Sequence, residues 1–222
     1  MSLSQSQAAA RRKLLAAARM AKPAFARGKM RNALPLSVLY GRTLPRVWFM
    51  TDPKRTPHME RIIAALPRGW GVIYRHFGAP SRMETARRLA RLCRGRLVFL
   101  VAADPRIALA VHADGVHWPE AKLRRVRPGN PRWIETASAH SRAALARAAR
   151  LGVDAVILSP VFESASPSAG KPLGPLAFRL LARSAAVPVY ALGGISARTA
   201  PHAMSGAAGF AAIDGIVEGW GG

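Results

Sequence analysis

Short apolar runs that stop at turn-forming residues recur along this chain from position 45 onward. Between them lie stretches whose apolar residues return every three or four positions. The first run, Arg46 to Met50, ends at Thr51-Asp52-Pro53. A helical segment follows from His58 to Leu66, with Met59, Ile62, Ile63 and Leu66 on one face. Gly71 to Arg75 predicts a second strand, and Ser81 with Glu84 three residues on predicts a capping box for a helix that stops at Arg94-Gly95. Leu97 to Val101 reads as a third strand, and Ile107, Ala108, Leu109 and Val111 as a short helix leading to a fourth strand, Ala113 to His117. Trp133 to Ala137 is a fifth, and Ser141 caps a helix running through Arg150. Ala155 to Leu158 and Val187 to Leu192 are the sixth and seventh strands, separated by a polar loop and a segment with Leu176, Leu180 and Leu181 at helical spacing. Gly209 to Ile213 is the eighth.

Eight short strands alternating with helices predict an α/β fold of the (β/α)8 TIM-barrel type, small for that fold, over residues 45–222. The alternative, a doubly wound open sheet, lacks its expected glycine cluster after the first strand. In either fold, sites gather at the carboxyl ends of the strands. Two such ends stand out here. Ser164, Ser166 and Ser168 offer hydroxyl donors in the loop after the sixth strand, and Gly193-Gly194 after the seventh lets main-chain N–H groups approach an anion closely. Together they suggest a phosphate.

Charge widens the choice of partners. Lys and Arg number 34 against 11 Asp and Glu, a formal +23, so polyanions are attracted whatever the fold. Much of the excess, as at Arg87, Arg88, Arg91, Arg94, Arg147 and Arg150, lies along helices, where a solvated face explains it as well as a binding stripe does. No zinc pattern, RNA-binding signature or helix-turn-helix spacing points to specific nucleic-acid recognition. Non-specific polyanion binding stays open.

Residues 1–44 form a basic N-terminal extension with no acidic residue, expected to be flexible or loosely docked. Within it, Leu14, Leu15, Ala18 and Met20 allow a marginal amphipathic helix that Pro23 interrupts, and tethering to a membrane surface or polyanion is the sharper alternative. The single cysteine, Cys93, forms no internal disulfide and reads as a buried small side chain. No apolar run approaches the roughly 20 residues needed to span a bilayer. A cytoplasmic protein without a transmembrane segment is the expectation.

Several motifs, taken together, resemble the thiamine phosphate synthase / thiazole tautomerase family from about Pro45 to Ile216. They are Ala-Asp-Gly-Val-His at 113–117, Ser-Ala-His-Ser at 138–141, Ser-Pro-Val-Phe-Glu-Ser at 159–164, Pro-Leu-Gly at 172–174, Ala-Leu-Gly-Gly-Ile-Ser at 191–196 and the segment 205–213. The resemblance implies a (β/α)8 barrel. It also implies the reaction of the family's synthases, which join hydroxymethylpyrimidine diphosphate to thiazole phosphate and release diphosphate, with Mg²⁺ on the leaving group.

Carried over residue by residue, the resemblance divides. Ser138 stands at the family's diphosphate-contacting serine. Ser164 and Ser166 replace its two threonines with the hydroxyls kept, and Gly193 and Gly194 match the glycine pair that faces phosphate. The lysine that should follow is Pro167, with Lys171 nearby. Asp214 stands where the last loop carries a serine, and it would repel phosphate if turned inward. On the pyrimidine and metal side, Ile73 and Phe77 replace a glutamine and a lysine, and only Arg75 is kept. Ala102-Ala103 replace Asn-Asp, and Lys122 replaces the second metal carboxylate. No cofactor is therefore expected, with Mg²⁺ admitted only if Asp104 or Glu120 is re-aimed, since a hard cation needs oxygen ligands.

Lys122, Arg75 and Lys171 are candidates to clamp a diphosphate instead. The tautomerase's acid/base histidine corresponds to Pro160, which leaves proton transfer to His117, His140 or Glu163, the last at the mouth of the phosphate loop. For His117, expected at the substrate, and for His140, an imidazole hydrogen-bonded at a strand end is the plainer reading. Trp118 is either a wall over the site or ordinary packing. The reading of the whole is an enzyme resembling thiamine phosphate synthase, acting on a small phosphorylated substrate. The alternatives are a non-catalytic binder of thiazole phosphate or thiamine phosphate, and an isomerase like the tautomerase.

Overall fold

Strands this short and apolar on both faces suit a parallel sheet buried on both sides. In the computed structural model, which describes residues 4–24, 43–123, 133–164, 166 and 170–221, eight parallel strands pair in chain order, and the last pairs with the first. They are β1 (Val47–Met50), β2 (Gly71–Tyr74), β3 (Val98–Ala102), β4 (Gly115–Trp118), β5 (Ile134–Ala139), β6 (Ala155–Leu158), β7 (Val189–Ala191) and β8 (Gly209–Ala212). The predicted (β/α)8 barrel is what the chain forms. Around it run α1 (Gln5–Met20), α2 (Met59–Ala65), α3 (Arg82–Cys93), α4 (Pro105–Ala110), α5 (Arg142–Arg150), α6 (Gly174–Ser184), α7 (Ala200–Ala203) and α8 (Asp214–Trp220). Among the described residues no helix is long and apolar enough to cross a membrane.

Alternation along each strand builds two cores. Trp48, Met50, Ile73, Leu100, Ile134, Ile157 and Tyr190 cluster inside the barrel. Their neighbours Phe49, Val72, Phe99, Val101 and Val156 join the helices in an outer layer. The Trp48 and Tyr190 rings meet edge-on at 6.2 Å and fill the barrel's middle. Above them the lining becomes polar, with His117, Thr136 and Ser159 buried near the carboxyl ends of β4, β5 and β6.

Two helix starts differ in instructive ways. Ser141 caps α5 as expected, its side chain accepting from Ala144 N in an extended conformation. Ser81 does not close a capping box with Glu84. Its ψ of 20° is too near helical to aim the hydroxyl back at the first turn, and no side-chain cap bond forms.

The described part of the basic extension packs against the outer layer of the barrel. Ser4 and Gln7 form a capping box at the start of α1, and the helix ends before Pro23. Leu14 and Ala17 are fully buried in the outer core against α8 and α7. Arg11 lies 4.9 Å over the Trp220 ring and donates to Ala65 O at 3.0 Å. The remainder of that extension from 25 to 42, and Pro167 and Ser168 of the serine-rich loop, lie outside the described residues.

Candidate functional site

Every side chain that could do chemistry here is delivered by a strand's carboxyl end. A cleft of about 230 Å³ opens there, just below the roughly 300–1,000 Å³ of pockets for drug-sized ligands, which suits a small metabolite. One side of it is the serine-rich turn and the glycine pair. Val161 N donates to Leu192 O at 2.8 Å and Phe162 N to Gly193 O at 3.0 Å, so the loops after β6 and β7 are laced together. Gly193 and Gly194 sit at φ 92° and 63°, left-handed conformations that favour glycine. A Cβ on Gly193 would lie 2.7 Å from Pro160, and one on Gly194 would lie 2.2 Å from Glu163 O.

Gly194 O accepts from Thr199 Oγ1 at 2.6 Å. With both glycine carbonyls thus engaged, neither glycine N–H has an acceptor among the described residues. Unpartnered N–H groups at a wall shared with Ser164 and Ser166 form an anion-receptive surface.

The floor is a hydroxyl–imidazole–hydroxyl row. His117 Nδ1 is 2.9 Å from Thr136 Oγ1, and Nε2 is 2.9 Å from Ser138 Oγ. Burial, reinforced by the positive charge of Arg75, pushes His117 down to about 3, so the ring is neutral at physiological pH. Thr136 is fully buried with no other hydrogen-bond partner among the described residues, so the arrangement that leaves no buried hydroxyl hydrogen unpaired is donation to Nδ1. The ring proton then sits on Nε2 and is given to Ser138. That leaves the Ser138 hydroxyl hydrogen free to point into the cleft, which Ser138 and His117 both line.

Beyond β8 the rim becomes cationic. Arg75 follows β2 and Arg55 follows β1, and both face the cleft. Burial lowers the pKa of Arg75, and the charge of Arg55 acts the same way against the opposing pull of Asp52. Asp214 does line the cleft as feared, but it is neutralised: Arg55 Nε donates to Asp214 Oδ1 at 2.9 Å and its Nη2 to Oδ2. Arg55 was not singled out in the sequence. It stands 159 residues from its partner, and only the closure of β8 on β1 brings the two loops together.

Of the residues expected at the site, Ser138, Arg75, His117, Ser164, Ser166, Gly193 and Gly194 line this one cleft. Glu163, Lys122 and Lys171 are exposed and do not line it. The carbonyl of Glu163, not its side chain, is the part that lies close to Gly194. Lys122 Nζ rests 5.8 Å from the Phe77 ring, on the far side of a cleft-wall residue. Trp118 packs against the outer core and is not part of the wall. His140 lines the cleft, with its ring Nδ1 and its main-chain N both 2.8 Å from Glu120 Oε2. Asp104 caps α4 through Ile107 N at 3.0 Å and pairs with Arg82 at 3.1 Å. Among the described residues no group of three His, Cys, Asp or Glu side chains is placed to hold a metal ion.

Comparison with known proteins identifies the family. A family model described as thiamine monophosphate synthase matches residues 47–216. A putative thiamine-phosphate synthase 2 from Aquifex aeolicus is 32% identical over 163 residues, which are 69% of this chain and 87% of that protein. The thiamine-phosphate synthase of Chloroflexus aurantiacus is 33% identical over 186 residues, 78% of this chain and 85% of that one. Among solved structures, a thiamine phosphate pyrophosphorylase from Pyrococcus furiosus superposes with a TM-score of 0.68 at 28% identity, covering 79% of this chain and 88% of that one. The match spans every strand of the barrel and both loops of the anion-receptive wall, and on that extent the chain belongs to the thiamine monophosphate synthase family.

Proposed function

We propose that this protein joins a hydroxymethylpyrimidine diphosphate to a thiazole phosphate and releases diphosphate. One observation carries the reading: the serine-rich turn and the glycine pair open on the same cleft as Ser138 and Arg75, within a chain of this family. The thiazole phosphate is held by the N–H groups of Gly193 and Gly194 and the hydroxyls of Ser164 and Ser166, donors already oriented before the ligand arrives. The ring nitrogen of the thiazole then forms a bond to the pyrimidine methylene carbon. The bond from that carbon to the diphosphate oxygen breaks, and the electron pair leaves with the diphosphate. Ser138, its hydrogen released to the cleft by the row behind it, donates to the departing oxygen, and Arg75 offsets the charge that develops there.

The residues present do not fit the divalent cation that the family implies. Asp104 is spent on a helix cap and Arg82, Glu120 Oε2 is already bonded twice to His140, and Lys122 stands at the position of a metal carboxylate. Mg²⁺ keeps waters and phosphate oxygens and asks for only one or two carboxylates, but of the two that line the cleft, Glu120 gives Oε2 to His140 and Asp214 gives both oxygens to Arg55. No step of the reaction is routed through a metal here.

The same observations favour one second reading, a barrel that binds thiazole phosphate or thiamine phosphate without turnover. Assaying diphosphate release from both substrates together, against each alone, decides between them. Release above the single-substrate blanks is the expected result. Saturable binding of thiazole phosphate with no release from any combination favours the binder instead. Ser164→Ala is expected to weaken thiazole phosphate about ten-fold, as fits the loss of one hydrogen bond to a charged group.

A further inference from the structure

We propose that Arg55 and Arg75 form a second anion subsite that holds a diphosphate group without a divalent cation, and that Asp214 occupies Arg55 until the ligand displaces it. The choice of diphosphate rests on the reaction proposed above; the subsite itself rests on the geometry of the wall.

Arg75 is half-buried, and its main-chain N donates to Thr51 Oγ1 at 3.0 Å, yet its guanidinium has no hydrogen-bond acceptor among the described residues. Asp52 acts on Arg75 by charge without a hydrogen bond to it, and its Oδ1 accepts from Lys54 N at 3.0 Å and Arg55 N at 3.2 Å. A second guanidinium, Arg55, faces the same cleft and is close enough to lower the pKa of Arg75. Asp214 offsets Arg55 and Asp52 acts on Arg75 by charge alone, so an anion that reached both guanidiniums would give Arg75 the acceptor it lacks.

Arg55 already shows how it binds one. It meets Asp214 through Nε and Nη2 at once, the two-pronged contact that guanidinium makes with carboxylate and phosphate alike. The Asp214 side chain is 53% exposed against 22% for Arg55, so the carboxylate returns to water at little cost while the guanidinium stays at the wall. Two guanidiniums carry the same double positive charge as a divalent cation. The carboxylates that would hold such a cation are bonded to Ile107, Arg82 and His140. The clamp expected from sequence, Lys122, Arg75 and Lys171, keeps only Arg75, and Arg55 takes the place of the two lysines.

Calorimetric titration of inorganic diphosphate into the full-length protein, at fixed ionic strength in excess EDTA, tests this. One-to-one binding is expected, tightened less than about two-fold by Mg²⁺ in place of EDTA. Arg55→Met and Arg75→Met should each weaken it about ten-fold or more, the loss of a charge-assisted hydrogen bond. Asp214→Asn should tighten it several-fold, a gain that no misfolded variant would show. Binding that requires Mg²⁺, that ignores Arg55→Met, or that weakens in Asp214→Asn overturns the proposal. Its failure is separable from that of the proposed reaction: intact diphosphate binding without turnover removes only the latter, and Mg²⁺-dependent turnover removes only the former.

Discussion

Thr136 never reaches the cleft, yet the hydrogen-bond accounting makes it decide what Ser138 offers a ligand. Thr136→Val keeps the shape and removes the hydroxyl, so Nδ1 loses its donor and the imidazole proton is no longer fixed on Nε2. Long-range proton–nitrogen spectra of the wild type should place the proton of His117 on Nε2, with the variant shifting toward the other tautomer and Thr136→Ser restoring it. A wild-type spectrum with the proton on Nδ1 would contradict the assignment. His117 also carries a pH signature. The folded protein keeps it uncharged down to about pH 3, whereas the unfolded chain takes up a proton near the ordinary histidine value of 6.5. Between those limits the unfolded state binds more protons, so stability is fully present above 6.5 and is lost as pH falls through the window. From pH 6.5 to 4.5 this residue contributes a loss of about 2 kcal/mol, and denaturant midpoints of wild type and His117→Asn should diverge accordingly. Cys93, by contrast, has its thiol pushed up to about 12 by burial, and it should resist alkylation in the folded protein.

Helix α1 shows how an element can be underestimated from its residues. Its basic composition suggests a flexible or loosely docked extension, but positions 14, 17 and 18 make one small buried apolar face on a helix that packs against α8. Leu14→Ala should therefore cost about 2–5 kcal/mol, read as a fall in the denaturation midpoint, while exposed Arg12→Ala changes it by less than about 0.5 kcal/mol. The eight strands were legible because each is an apolar run closed by a turn residue, and the loops after β6 and β7 because serines and paired glycines are unusual at strand ends. Helices α7 and α8 were not: α7 has too few residues to show a period, and glycines at 215 and 219 interrupt one in α8. The Ser81 box misled because sequence spacing says nothing of ψ. The Arg55–Asp214 pair was hidden for a different reason: contact across the closure of a barrel has no local signature in the chain.

At the scale of the whole molecule two electrostatic behaviours should separate. A formal charge of +23 draws polyanions non-specifically; affinity for a random oligonucleotide should fall by orders of magnitude between 50 and 200 mM salt. Thiazole phosphate, which on the function proposed engages one defined wall, should weaken far less over the same range, as anisotropy and calorimetry in parallel can establish. What unites the site is the meeting of the β6 and β7 loops, and the glycine conformations there are required by it. Gly193→Ala or Gly194→Ala places a Cβ against Pro160 or Glu163 O and strains a left-handed backbone, at a cost of order 1–3 kcal/mol, with loss of phosphate binding. The most direct test is a crystal structure with thiazole phosphate bound. The phosphate is predicted within hydrogen-bond distance of the Gly193 and Gly194 N–H groups and the Ser164 hydroxyl. A phosphate seated instead between Arg55 and Arg75, with the glycine pair untouched, would contradict the assignment on which the function rests.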